Sequence, residues 1–404
     1  MTSKSARVRS AWLNRTVIGV GLTSLFSDWS HETATTLLPT FLATMGVAAA
    51  WLGLIEGVSD GLSSVAKMAS GYYTDLLRRR KPIAVAGYIV TALGTAAFGL
   101  ASSPWHVLIA RATAWLGRGV RTPVRKALLA GSVTAEAYGR AFGLERALDT
   151  VGAIVGPLSA FFLLQLLNHR YGLLFALTLI PGMLAAATMA FVVKEQKRAP
   201  VPHVSFGASL CALPHRFRQF LAAVFVFGIG DFAHSLLILL AMQKLAPTLG
   251  ATKAASLAAA LYVLHNVVYA SFSMITGSLA DRIDKKRLLA AGYMLGALMA
   301  LAVVVLPLNL CTFAAIFALG GVYLAMEETL EDSFCAELIA PAQHGVAFGT
   351  LATVNGIGDF ASSIILGLLW TNFGTAPAFA YSAILFVCGS FMVLRIAGPA
   401  RRAD

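Results

Sequence analysis

Asp28 and Glu32 stand four residues apart with His31 between them, so a helix would set both carboxylates on one face. Glu56, Asp60 and Lys67 repeat that kind of spacing, Glu145, Arg146 and Asp149 form a third group, and Asp231 with His234 a fourth. His265, Asn266 and Asp359 lie further along the chain. Arg111, Arg118, Arg121, Arg125 and Lys126 make a basic stripe with arginine spacings of seven, three and four, while Glu327, Glu328, Glu331 and Asp332 make an acidic one. Carboxylates and imidazoles of this kind could load and release protons, and guanidinium groups could hold anionic parts of a solute. A metal reading is also open: Asp28 and His234, with His31, His265, Asp231 and Glu32 near them in type, would suit a first-row divalent ion. No tight His-x3-His or Cys/His spacing supports it, and no nucleophile–base constellation points to an enzyme.

Each of these groups sits inside an apolar stretch. The chain is 58% hydrophobic and only 12% charged over 404 residues, against about a quarter charged in a soluble domain. Its mean hydropathy is +0.75. Twelve stretches of spanning length are expected, near 16–45, 49–74, 82–102, 104–132, 140–167, 172–193, 217–244, 254–280, 287–307, 310–338, 345–371 and 375–396. An ionisable group at bilayer depth costs several kcal/mol, about 2.5–3.5 at a helix centre, unless it faces a protein interior. These residues are therefore candidates for function. Spans one and seven would each place a titratable group, Asp28 and His234, at equivalent depth.

The net charge of +12 sorts by topology. With the N-terminus in the cytoplasm, Lys4, Arg7, Arg9 and Arg15, the Arg78–Lys81 and Arg282–Arg287 runs, Lys194, Lys197, Arg198, Arg216, Arg218, Arg401 and Arg402 all fall inside, and the opposite loops keep little beyond Arg170, Lys244 and Lys253. Charges spread over separate short loops exclude a nucleic-acid face. The basic start before an apolar run looks like a signal peptide, but the long span and missing small-residue site favour a retained first helix. The four cysteines show no paired spacing and are expected as small core residues. Expected organisation is a cytoplasmic N-terminus over 1–15, a six-helix bundle over 16–193, a Pro- and Lys/Arg-bearing linker over 194–216, a second bundle over 217–396 and a tail over 397–404.

An internal repeat accounts for this division. Gly71-Tyr-Tyr-Thr-Asp75 and Gly277-Ser-Leu-Ala-Asp281 each open a basic run, and 206 residues separate them. The same offset takes Ala141-Phe142-Gly143 to Ala347-Phe348-Gly349 and Gly152 to Gly358. It also takes Arg121 to Glu327, Arg125 to Glu331, Lys126 to Asp332 and Asp28 to His234. If the halves pack about a pseudo-two-fold axis, basic and acidic stripes meet across the interface, in pairs suited to a gate.

These residues resemble the major facilitator superfamily over nearly the whole chain. The loop motif Gly-x-Leu-Ala-Asp-Arg-x-Gly-Arg-Arg/Lys-Arg is well kept at Gly277–Arg287 and more loosely at Gly71–Lys81, with Arg78 and Asp284 in place of the inner glycine. The resemblance implies that Asp75, Arg79, Asp281 and Arg282 hold the cytoplasmic side closed. Arg111 with Gly117 and Gly119 is similar to the family's proton-linked Arg-x5-Gly-x-Gly motif. Gly152-x3-Gly156-Pro157 is similar to its antiporter motif, which the second half lacks because Ser362 and Ser363 stand there. Arg118 to Arg125 resembles a large bacterial subgroup. The resemblance implies an all-α integral membrane fold of twelve helices in two bundles, in a bacterial inner membrane, working by alternating access as a monomer. The expected activity is export of a small organic solute against protons, without a cofactor. Asp28 or Glu32 would be the acid, and Arg118, Arg121, Asp231, His234, Glu327 and Glu331 further contacts. Divalent metal export and proton-coupled uptake of a metabolite are the alternatives.

Overall fold

The computed structural model describes residues 12–46, 49–195, 205–232 and 234–396. Most of the expected N-terminal segment, the middle of the linker and the tail lie outside the described residues. Within them the chain is helical, without a strand: α1 Arg15–Thr44, α2 Ala49–Leu76, α3 Lys81–Ala96, α4 Pro104–Ala130, α5 Tyr138–Leu166, α6 Tyr171–Leu177, α7 Leu179–Phe191, α8 Phe206–Cys211, α9 His215–Gly228, α10 His234–Leu249, α11 Ala251–Ala280, α12 Lys285–Val305, α13 Leu310–Leu338, α14 His344–Phe373 and α15 Thr375–Arg395.

Among the described residues, eight helical segments are long and apolar enough to cross a bilayer. The expected spans outside that set are the first, second, fourth and seventh. The first, second and fourth carry the groups around Asp28, Asp60 and the arginine stripe, whose charges dilute their apolar windows. The seventh falls short for another reason. Expected as one helix over 217–244, it stops at Gly228 and restarts at His234, with Ile229–Phe232 non-helical. Gly228 and Gly230 weaken the helix there. Irregular backbone at membrane depth survives only where protein groups satisfy it. Tyr381 Oη donates to the Ile229 carbonyl at 3.0 Å and Ser362 Oγ donates to the Asp231 carbonyl.

The chain divides into two compact units, Met1–Ala212 with Ile339–Thr353, and Leu213–Leu338 with Val354–Asp404. In the first, α1 packs on α5 and α7, α4 on α2 and α3, and α3 on α7. In the second, α13 packs on α11 and α12, and α15 on α9 and α12. Counting by spans, several of these pairings repeat six later, so the offset read from sequence holds in the packing of each unit. Close approach of α1 and α5 needs small residues: a Cβ on Gly152 would lie 2.3 Å from the Leu25 carbonyl oxygen, and one on Gly156 2.6 Å from Glu32 Cβ. The cysteines depart from expectation, since Cys335 is buried while Cys211, Cys311 and Cys388 are exposed.

Candidate functional site

The first unit gathers its charged groups between α1, α4 and α5. Residues 111, 118 and 125 lie along α4 at intervals of two turns, which turns their guanidinium groups towards α1 and α5. Arg125 is heavily partnered: its Nη2 lies 2.9 Å from Glu145 Oε1, and its Nη1 donates to Ser24 Oγ at 2.5 Å and lies 3.4 Å from Asp149 Oδ1. Arg146 Nη1 reaches Asp149 Oδ2 at 3.1 Å, and Ser24 Oγ donates to Glu145 Oε1 at 2.7 Å. Five side chains from three helices thus share one buried network, the setting in which charge pairs are strong but costly to break.

Further along α4 the arginines also meet aromatic rings and a hydroxyl. Arg111 lies 3.5 Å over the Trp115 ring and donates to Thr35 Oγ1 at 3.0 Å. Trp115 also stacks edge-on with His31 at 4.5 Å and donates through Nε1 to Asp60 Oδ1 at 2.6 Å. Asp28 is 6% exposed, and its ion-pair contact is Arg118 Nη2 at 3.9 Å, with the Arg118 side chain 31% exposed. Glu32 is part-exposed, 3.6 Å from His31 Nε2. Arg121 is 2% exposed and stacks on Tyr88 at 4.2 Å. Its Nε is buried without a hydrogen-bond partner among the described residues.

At one end of this unit, Asp75 closes α2. Its Oδ1 accepts from the Gly345 amide at 2.9 Å and its Oδ2 from the Val346 amide at 2.7 Å, so it caps the N-terminus of α14 with a full negative charge. Arg80 Nη2 pairs with the same carboxylate, while Arg80 Nε donates to the Thr74 carbonyl at 3.1 Å. Arg79, the arginine expected to act with Asp75, is exposed. A Cβ on Gly71 would lie 2.4 Å from the Gly345 oxygen, so glycine at 71 is what lets α14 come this close.

The second unit has its own polar centre at the break before α10. Tyr323 Oη donates to Asp231 Oδ1 at 2.5 Å, and Tyr269 Oη bonds Glu328 Oε2. Glu331 accepts from Tyr293 Oη at 2.5 Å and from Asn355 Nδ2 at 2.8 Å. Glu327 is buried on the same helix. His234 and His265 face each other at 4.5 Å, and His265 Nδ1 lies 3.1 Å from the Phe317 carbonyl, which can only accept. Among the described residues, no group of three or more His, Cys, Asp and Glu is arranged to hold a metal ion. In the second loop, Gly277 is buried in the last turn of α11 and Asp281 comes directly after that helix, with Arg282 beyond it. Asp284, in place of the motif glycine, accepts from the Lys286 amide at 2.9 Å and caps α12.

The sequence profile described as Major Facilitator Superfamily matches residues 20–241 and 220–404. The chain belongs to the major facilitator superfamily. It is 27% identical over 384 residues, 95% of each chain, to an uncharacterized MFS-type transporter of Methanocaldococcus jannaschii. Over 154 residues, 37% of this chain and 38% of the other, it is 29% identical to the multidrug resistance protein MdtH of Citrobacter koseri. The crystal structure of the human organic anion transporter MFSD10 superposes with a TM-score of 0.77 at 16% identity, covering 94% of this chain and 99% of that one. Membership makes the protein a secondary transporter spanning the membrane many times, with a small-molecule substrate, and not an enzyme.

Within this superfamily fold the two glycines after Arg111 have a steric use: a Cβ on Gly117 would lie 2.7 Å from the Gly87 oxygen of α3, and one on Gly119 2.5 Å from the Ser63 oxygen of α2. Pro157 lies inside α5, one residue after the contact of Gly156 with α1. The structure brings Asp28 and Arg118 together, places Glu32 beside His31, and gives Arg121 an aromatic partner. Sequence reasoning counted Glu145 and Arg125 among the intramembrane charges without pairing them, noted Ser362 only as a departure from the motif, and did not single out Arg80 or Tyr323. For Glu145 and Arg125 the signal was available, since charges of opposite sign on spans four and five must find partners in the bundle.

Proposed function

We propose that this transporter exports a small organic solute by exchange with protons. The observation that carries this reading is the Asp28–Arg118 contact: a buried carboxylate, 3.9 Å from a part-exposed guanidinium, with no short hydrogen bond holding the two together. A carboxylate so held can exchange its arginine for a proton, and the arginine so released can take an anionic group of the solute. Arg121 adds a second cation, itself buried, on the same helix. Glu32, Asp231, His234, Glu327 and Glu331 are the remaining candidates for solute or proton contact.

The Gly152–Pro157 motif and the likeness to MdtH, named for multidrug resistance, support the outward direction. The distribution of Lys and Arg supports a bacterial inner-membrane location with both termini in the cytoplasm. Asp75, Arg80 and the amides of α14 then form a cytoplasmic-side latch, with Asp281 and Arg282 in the equivalent loop. The proton gradient supplies the energy, without a cofactor, and the monomer is the working unit.

A thermal-shift screen of organic anions and drugs identifies the solute, because binding stabilises the native state. Proteoliposomes with an imposed pH gradient then test the coupling. Wild type should accumulate solute against its gradient, whereas Asp28→Asn should exchange solute without responding to pH. Accumulation that ignores the gradient in both proteins sinks the reading.

A further inference from the structure

Arg79 is the cation that the latch does not use. Its neighbour Arg80 is buried against Asp75, and Arg79 is exposed with no ion-pair or hydrogen-bond partner among the described residues. It stands at the mouth of a groove of about 530 Å³ lined by Arg79, Lys81, Val85, Ile89, Ala190 and Glu195, with Pro82 and Ala86 between them. Pro82, Val85, Ala86 and Ile89 follow one face of α3 at i, i+3, i+4 and i+7, and Ala190 belongs to α7. Both α3 and the α6–α7 segment are apolar enough to lie in the bilayer. The groove is therefore apolar along its length and cationic at one end.

The one carboxylate in the lining offsets part of that charge and leaves the end of the groove net positive. Glu195 is engaged with the start of α3, its Oε1 accepting from the Arg80 amide at 2.5 Å and its Oε2 from the Lys81 amide at 3.1 Å. Lys81 Nζ donates to the Val193 carbonyl at 2.8 Å, which uses one of its three protons. Arg78 and Lys194 are also exposed close by in sequence. Two cations at the boundary of an apolar groove match a molecule with an anionic head and a hydrocarbon tail.

We propose that this groove binds one anionic glycerophospholipid, with Arg79 and Lys81 on the phosphate and an acyl chain along Pro82–Ile89 and Ala190. A phosphate accepts from a guanidinium through paired N–H donors, and juxtamembrane basic residues attract anionic lipid. A latch loop whose outer arginine is held by lipid would be steadied in the conformation that keeps Arg80 on Asp75. The site is independent of the transported solute and of the direction of transport.

Native mass spectrometry of the full-length protein, delipidated and then mixed with phosphatidylglycerol or phosphatidylcholine, tests the assignment. Wild type should retain one phosphatidylglycerol in preference to phosphatidylcholine. Arg79→Gln should weaken that binding about tenfold, the loss of one charge-assisted contact. Ala86→Trp, which fills the groove and leaves both cations in place, should abolish it. Equal retention of the two lipids, or unchanged retention in both variants, overturns the proposal. Stabilisation by inorganic phosphate equal to that by phosphatidylglycerol would mark a free-anion site and overturn it as well.

Discussion

Replacing Asp75 by alanine should destabilise the first unit by about 3–5 kcal/mol, the cost of removing one partner from a buried charge pair. The structure shows where that cost arises. Asp75 is 6% exposed and Arg80 2%, so the guanidinium left behind has no water to replace the carboxylate. Two amides at the start of α14, held at 2.9 and 2.7 Å, lose their acceptor at the same time. Asp75→Asn keeps an acceptor oxygen but loses the charge and should cost about 1.5–3 kcal/mol, the range for hydrogen bonds to charged groups. Arg80→Met should cost less than Asp75→Ala, because the remaining carboxylate still accepts from both amides. The double variant should be less destabilised than the sum of the singles by at least about 1 kcal/mol, as expected for residues in direct contact. Thermal unfolding of the purified protein in detergent, monitored by tryptophan fluorescence, measures the order. An Asp75→Ala protein as stable as wild type, or Arg80→Met proving the more damaging, would refute the capping argument.

Three further outcomes are expected. Arg125→Met leaves Glu145 and Asp149 uncompensated in the first unit and should lower stability by about 3–5 kcal/mol, with Arg125→Lys intermediate because an ammonium cannot fork to two carboxylates; melting curves of the two variants decide it. Gly71→Ala should cost about 1–3 kcal/mol, because its methyl group would meet the backbone of Gly345, which cannot rotate away as a side chain would; reduced melting temperature with unchanged solute affinity is the expected pattern. Tyr323→Phe removes the 2.5 Å bond to Asp231 and should cost about 1–3 kcal/mol, the range for leaving a buried acceptor unpaired; a Tyr323→Phe protein that melts with wild type would contradict that bond.

Helix positions were largely legible in the sequence because apolar length and loop punctuation fix them locally. Expected bounds such as 310–338 and 49–74 fall on α13 and α2 within two residues. Pairing was less legible. Within the first unit Arg125 is engaged by Glu145 and Asp149, and within the second Glu331 accepts from Tyr293 and Asn355, partners that spacing along one helix does not point to. Sequence spacing says which residues share a helix face, but the choice between facing partners depends on helix rotation and rotamer. Arg79 and Arg80 show the same limit, since adjacent residues at a helix end point in different directions and only the backbone turn decides which is buried.

The repeat offset explains more when used on these contacts than on the motifs that revealed it. Arg125 and Asp149 map onto Glu331 and Asn355, and both pairs are bonded, so the contact between the fourth and fifth spans of each half survived a change of charge. Leu25, whose carbonyl lies against Gly152, maps onto Asp231, where the seventh span unwinds. Gly156 maps onto Ser362, and this is the residue whose hydroxyl donates to the freed Asp231 carbonyl. In the first half glycine allows an intact α1 to pack closely; in the second a hydroxyl satisfies a broken one. The serine that stands in place of the motif's second glycine is therefore the residue that satisfies the break beside Tyr323. Ser362→Gly should accordingly fail to restore the first half's arrangement. It would leave a buried carbonyl without its donor and destabilise the unit by about 1–3 kcal/mol, even though it makes the motif more complete. A Ser362→Gly protein that melts above wild type would show that the break does not depend on that hydroxyl.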